Sequence, residues 1–246
     1  MKNLNEKISY QKSKDIVLED LKAYENLITQ KLEMEDLNSA LNKVESAIVL
    51  IKNHQDYHDF EQILSAYSEL KETIESSLKK KQMTYLRRYN SLLNEKINEN
   101  NLENFLKLLA ILKNDINENL DKYNLQEINV RINKYFEFIK KVYEILSCCN
   151  VLNYNEISGK IFDFINDIKA ENFPNLKRLI ADTYKNLITT KLSEISQEYD
   201  KISISLLSKK MAIKQEHLVK FIHTLKRHPK SPIKDYNILS HVVYFK

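Results

Sequence analysis

Apolar residues recur at spacings of three and four along most of the chain, the pattern of helices that bury one stripe. Val17, Leu21, Tyr24, Ile28 and Leu32 form one stripe, and Leu37, Leu41, Val44, Ile48 and Ile51 form the next. Phe60, Ile63, Leu64, Tyr67, Leu70 and Ile74 continue the period into "MTYLRRYNSLLNEKI". Residues 57–99 therefore read as one long helix or as a hairpin of two, with "KKKQ" at 79–82 as the turn.

Three segments open alike, with Asn or Asp ahead of an amphipathic helix: "DYHDFEQILSAYSELKETI" from 56, "NNLENFLKLLAILKNDI" from 100 and "LNYNEISGKIFDFINDI" from 152. Each precedes a second apolar helix, which gives a degenerate helical hairpin of roughly 40 to 50 residues, close to HEAT or tetratricopeptide units. One such hairpin cannot bury its own stripe, so neighbours must cover it, each large side chain contributing about 1.5–3 kcal/mol. Asn155 is placed to cap the helix opening "NEISGKIFDF", and Pro174 suits the first turn of the next helix, where no N–H is needed.

The period changes after Ile195. "YDKISIS" puts Ile202 and Ile204 on one face and Ser203 and Ser205 on the other, as a half-buried strand does. Ser205 is placed to cap a short helix over "LLSKKMAI", and Leu218, Phe221, Ile222 and Leu225 stripe a second one. Pro229 and Pro232 end that helix, and "IKDYNILSHVVYF" is rich in β-branched and aromatic residues, which favours two strands.

Strand, helix, helix, strand, strand is a winged-helix order. The segment Tyr199, Ile202, Ser203, Ile204, Leu207, Met211, Ile213, Glu216, Leu218, Val219, Ile222 and "VVYF" at 242–245 resembles the C-terminal half of PCI domains. Those modules are shared by subunits of the proteasome lid, the signalosome and a translation-initiation scaffold. Ser208 stands where that family usually has alanine, and "HPKSPIKDYN" lacks the customary glycine of the wing, so an altered wing is expected. The expected architecture is all-α: a right-handed stack of helical hairpins over residues 1–195, closed by a winged helix over residues 196–246.

Composition narrows the chemistry. A hydrophobic fraction of 43% in 246 residues supplies a core. One glycine, Gly159, and three prolines make tight turns at positive φ nearly unaffordable in conformational terms and favour helices. The same scarcity excludes G-x-G-x-x-G and P-loop nucleotide sites. No apolar run reaches the roughly 18–20 residues of a membrane span and no signal-peptide core is present, so a soluble, cytoplasmic protein is expected. The adjacent Cys148 and Cys149 read as buried thiols, since bridged neighbours are strained. His54 and His58 stand i, i+4, but no third metal ligand converges with them. His217, His223, His228 and His241 read as solvated. No serine, cysteine or carboxylate is set against a catalytic partner, so the chain reads as a non-enzyme with no cofactor.

The function expected is that of a scaffold or adaptor subunit within a complex of protein subunits, a related PCI-like chain among them. Its partners would meet helical faces and a sheet edge supplied by Val242, Val243, Tyr244 and Phe245, by main-chain pairing. A nucleic-acid-binding alternative uses the second helix of the terminal unit: Lys209, Lys210, Lys214, Gln215, Lys220, Arg227 and Lys230 would form its basic surface, although a net charge of +4 is mild. A third reading is a subunit of membrane-remodelling machinery, with "ESSLKKKQMTYLRRYNSLLNEKINEN" as a charged helical arm.

Overall fold

A computed structural model describes residues 2–55, 59–148, 154–226 and 231–246. Of the described residues 78% are helical, and a small three-stranded antiparallel sheet lies near the C-terminus. In chain order the elements are α1 (Lys2–Glu33), α2 (Leu37–His54), α3 (Glu61–Asn94), α4 (Leu102–Glu118), α5 (Gln126–Cys148), α6 (Tyr154–Ile168) and α7 (Pro174–Glu198). They continue with β1 (Lys201–Ser203), α8 (Ile204–Met211), α9 (Gln215–Leu225), β2 (Ile233–Asn237) and β3 (Val242–Phe245). Two compact units are formed, one from Met1–Leu92 with Leu108–Lys134, the other from Leu93–Lys107 with Tyr135–Lys246.

In the first unit α1 and α2 are antiparallel neighbours joined through Glu35, whose φ of 54° reverses the chain. Asp36 caps α2 by accepting a hydrogen bond from the Ser39 N–H at 3.1 Å. One cluster buries Val17, Leu21, Ala47, Ile51 and Phe60, and a second buries Ile28, Ala40, Val44 and Ile74. The buried line of α2 runs through Ala40 and Ala47, while Leu37, Leu41 and Ile48 are only half-buried, so α2 is turned from the stripe expected of it. Small side chains let two helix backbones approach, and packing rather than hydrophobicity alone selected that line.

Residues 79–82 form no turn. α3 runs unbroken through them, with Lys79, Lys80 and Lys81 exposed and the Gln82 amide donating to the Tyr123 carbonyl at 3.0 Å. No glycine or proline interrupts this stretch, and a lysine run is a good helical face in water. The first of the three expected hairpins is thus one helix.

Asp115 ties α3 to α4 by accepting hydrogen bonds from the Tyr85 hydroxyl at 3.0 Å and from the Arg88 guanidinium, with the Asn119 amide donating at 3.1 Å. Burial raises the Asp115 pKa, but the hydrogen bonds and charge of Arg88 and Tyr85 outweigh it and hold the carboxyl below its ordinary value. The Tyr85 hydroxyl, half enclosed and facing that carboxylate, is pushed up to about 12.

In the second unit an aromatic cluster links successive helices: Tyr135 meets Phe105 edge-on at 6.2 Å and Phe173 at 4.8 Å, and Phe138 meets Phe164 at 5.8 Å. Asn175 is buried and donates to the Tyr135 hydroxyl at 2.6 Å. Pro174 opens α7 as expected, whereas Asn155 lies inside α6 rather than capping it.

The change of structure after α7 is real but shorter than its alternation suggests. β1 ends at Ser203, and that residue, not Ser205, caps α8 by accepting from the Leu206 N–H at 3.3 Å. Ile204 is buried as the first residue of a helix. The Ser208 hydroxyl donates to the Ile213 carbonyl at 2.6 Å and closes the α8–α9 turn, a bond no alanine offers.

Turns at positive φ do occur, without glycine: Glu35, Asn124, Ala212 and His241 all lie near φ 50°. Asparagine tolerates this region, and the other three accept a local cost that the helix ends and hairpin around them offset. Pro229, Cys149, His58 and His228 lie outside the described residues, as does the side chain of Cys148.

Candidate interaction surface

The terminal sheet has the order β1-β3-β2, both pairings antiparallel. Ile202, Val243 and Tyr236 sit side by side in register, as do Ile233 and Phe245, and all five are buried. α8 and α9 contribute Ile204, Leu207, Met211, Leu218, Ile222 and Leu225 to the same core, and α8 contacts β1 as α9 contacts β2. The alternate register row, Lys201, Tyr244 and Asp235, is exposed. One face of the sheet is therefore covered by helices and the other is open.

This order corrects the expectation for Val242–Phe245. β3 is the central strand, hydrogen-bonded on both sides, so its main chain offers no edge. Val243 and Phe245 close the core, while Val242 and Tyr244 are on the other face, Tyr244 37% exposed. The edges belong to β1, only three residues long, and to β2. At β2 the register breaks between Ile233 and Asp235, leaving Lys234 out of the pairing. The β2–β3 turn is held by Asn237, whose side-chain oxygen accepts from the Leu239 and Ser240 N–H groups at 3.0 and 3.1 Å. It displays Leu239 at 95% exposure.

The basic candidates differ in their surroundings. Lys209, Lys214, Gln215 and Lys220 are exposed. Lys210 is engaged, donating to Glu198 at 3.0 Å and lying over the Tyr199 ring at 4.9 Å. Its hydrogen bonds to Glu198 and Tyr199 raise its pKa. Arg227 and Lys230 lie outside the described residues. His217 and His223 are exposed on α9, and His223 meets the Tyr236 ring edge-on at 5.8 Å. Among the described residues no group of three His, Cys, Asp or Glu side chains is placed to hold a metal ion. No helix there is long and apolar enough to cross a membrane.

A groove of about 670 Å³ opens between α6, α7, α9 and the α8–α9 turn. Its apolar lining comes from Phe162 and Ile165 of α6, Ala181 and Tyr184 of α7, and Ile213 and Phe221. Tyr184 and Phe221 meet edge-on at 5.4 Å and brace α7 against α9. Asp182, Lys185, Lys214 and His217 supply the charged and titratable groups. Gly159 also lines it, and among the described residues a Cβ added there would meet no atom within 4 Å beyond its own helical turn. Beside this end of α6, the Tyr154 hydroxyl is buried and makes no hydrogen bond of good geometry among the described residues, Ser158 being its nearby polar neighbour. That burial pushes its titration well up, with the neighbouring Tyr184 adding to the effect.

No expectation drawn from the sequence pointed to this groove. Two signals were present: Phe162 stands off the core stripe Ile157, Ile161, Phe164 and Ile168, and the chain's one glycine sits in mid-helix beside it. Comparison with protein-family models, curated proteins and solved structures finds no match to this chain.

Proposed function

We propose that the protein is a non-catalytic scaffold or adaptor subunit of a multiprotein complex, with residues 196–246 acting as a PCI-like winged helix. The reading rests on the terminal unit. Its strand, helix, helix, strand, strand order and its sheet order β1-β3-β2 are those a winged helix has, and β2 has a strand neighbour on one side only. Helical hairpins in the manner of HEAT or tetratricopeptide repeats would supply the remaining contact faces. A partner strand would add to β2 by main-chain pairing, with the open row around Tyr244 giving side-chain selectivity. The nucleic-acid alternative has less behind it, because Lys210 is already committed to Glu198 and Tyr199.

The test is affinity capture of the intact protein from its own cells, followed by native mass measurement. A stoichiometric complex with other protein subunits is expected. Lys234→Pro, at the register break where proline is tolerated, should weaken that complex about tenfold while the helical circular dichroism stays unchanged. A monomeric mass with no co-purifying subunit refutes the reading.

A further inference from the structure

The groove between α6, α7 and α9 has an apolar centre and a charged rim, and its dimensions restrict what fits. From Asn155 to Ile165 the lining of α6 covers ten residue steps, about 15 Å at about 1.5 Å per residue. That is close to three helical turns. Phe162 is 48% exposed, and Gly159, Ala181 and Ala212 are exposed as well, so the groove is a trough open to water rather than a closed cavity. Its volume falls within the roughly 300–1,000 Å³ of small-ligand sites, but the lining is drawn out along three helices and follows α6 for about three turns, the shape of a helix-binding trough. A helix with a single apolar face needs only that face covered, and Gly159, Ala181 and Ala212 permit close approach of its backbone.

Charge sets the partner's chemistry. Lys185 and Lys214 border the trough and make no ion pair among the described residues, and His217 stands beside them. Among the described residues Asp182 is the one carboxylate in the lining, and against it stand Lys185 and Lys214, so the described rim is net basic. Phe162 and Gly159 have no role in the core that would account for them, since α6 already buries Ile157, Ile161, Phe164 and Ile168 on its other side.

We propose that this groove seats an amphipathic helix of a partner protein, about three turns long, with an apolar stripe flanked by acidic residues. The inference rests on the scaffold reading but uses a surface separate from the β2 edge. Seating such a helix covers Phe162 and gives Lys185 and Lys214 the carboxylates they lack.

The test uses the full chain and a fluorescein-labelled helical peptide of about sixteen residues, with leucines at i, i+3, i+4 and i+7 and glutamates on both flanks. The control peptide has lysines in place of the glutamates. Fluorescence anisotropy is expected to show saturable binding of the glutamate peptide, about tenfold or more tighter than the lysine peptide, with the gap closing at high salt. Gly159→Leu fills open space, so the protein should stay folded while losing about tenfold or more in affinity. The double variant Lys185→Glu with Lys214→Glu should reverse the preference between the peptides. Equal affinity for both peptides, no saturation at peptide concentrations up to about 200 μM, or unchanged binding by folded Gly159→Leu overturns the proposal. So does a wild-type dimer in sedimentation that Gly159→Leu dissociates, since the occupant is then a second copy. A captured complex that survives Gly159→Leu defeats the groove and leaves the scaffold reading standing, whereas absence of any complex defeats the scaffold.

Discussion

Replacing Gly159 by alanine should make the protein more stable. Glycine in a helix interior is less favourable than alanine by about 0.5–1 kcal/mol, because the unfolded chain is freer and no side chain shields the backbone. Such a gain is normally lost when the new methyl group collides with a neighbour. Among the described residues the added Cβ finds nothing within 4 Å beyond its own helical turn, and its position is exposed toward the groove, so no packing cost opposes the change. The full propensity difference should appear, about 0.5–1 kcal/mol. For a chain of this length each kcal/mol moves Tm by about 2–4 °C, so a rise of about 1–4 °C is expected by calorimetry, with the urea midpoint moving in step. Unfolding of the second unit should report it most directly, since α6 belongs there. A lowered midpoint would mean that the space above Gly159 is filled in solution or that α6 is not a helix at that point, and either result refutes the argument.

Two further substitutions test the cores. Asp115→Ala should cost about 1 kcal/mol near neutral pH, at the low end for a charged hydrogen-bond acceptor because Asp115 and Arg88 are both partly exposed. The folded pKa of Asp115 lies below 3.8, so its contribution is complete above that value and is lost as the pH falls through the lowered one. Urea midpoints of wild type and variant should therefore differ at pH 7 and converge in acid; a constant gap contradicts the assignment. Ile222→Asp places an unpaired charge at a position with 0% exposure and should cost more than about 4 kcal/mol, unfolding the terminal unit, while Lys214→Ala stays within about 0.5 kcal/mol. Near-UV circular dichroism and hydrogen exchange of residues 199–246 read both, and a folded Ile222→Asp would show that the buried side of α9 is misplaced.

Helix content, the stripe of α1, Pro174 at the start of α7 and the order of the terminal elements were all legible in the residue pattern, because 3.6-residue periodicity and proline's missing N–H act within a few residues of chain. Other features depended on neighbours distant in sequence. Val243 and Phe245 read as an edge strand, yet β1 arrives from forty residues upstream and pairs with the free side of β3, turning the edge into the centre. α2 buries Ala40 and Ala47 in preference to Leu41 and Ile48 because close packing on α1 favours small side chains. The lysines at 79–81 look like a break only when the rest of α3 is ignored. The groove is of the same kind: Phe162 looks like one more apolar residue on an amphipathic helix until α7 and α9 are in place beside it. The sequence by itself determined that the backbone is mostly helical and turns to a small sheet after α7, though not the bounds of each element, since those preferences act locally through hydrogen bonds and side-chain entropy. Only the tertiary structure decided which strand is central, which stripe is buried and which apolar residues remain open to a partner, because those outcomes depend on what each surface meets.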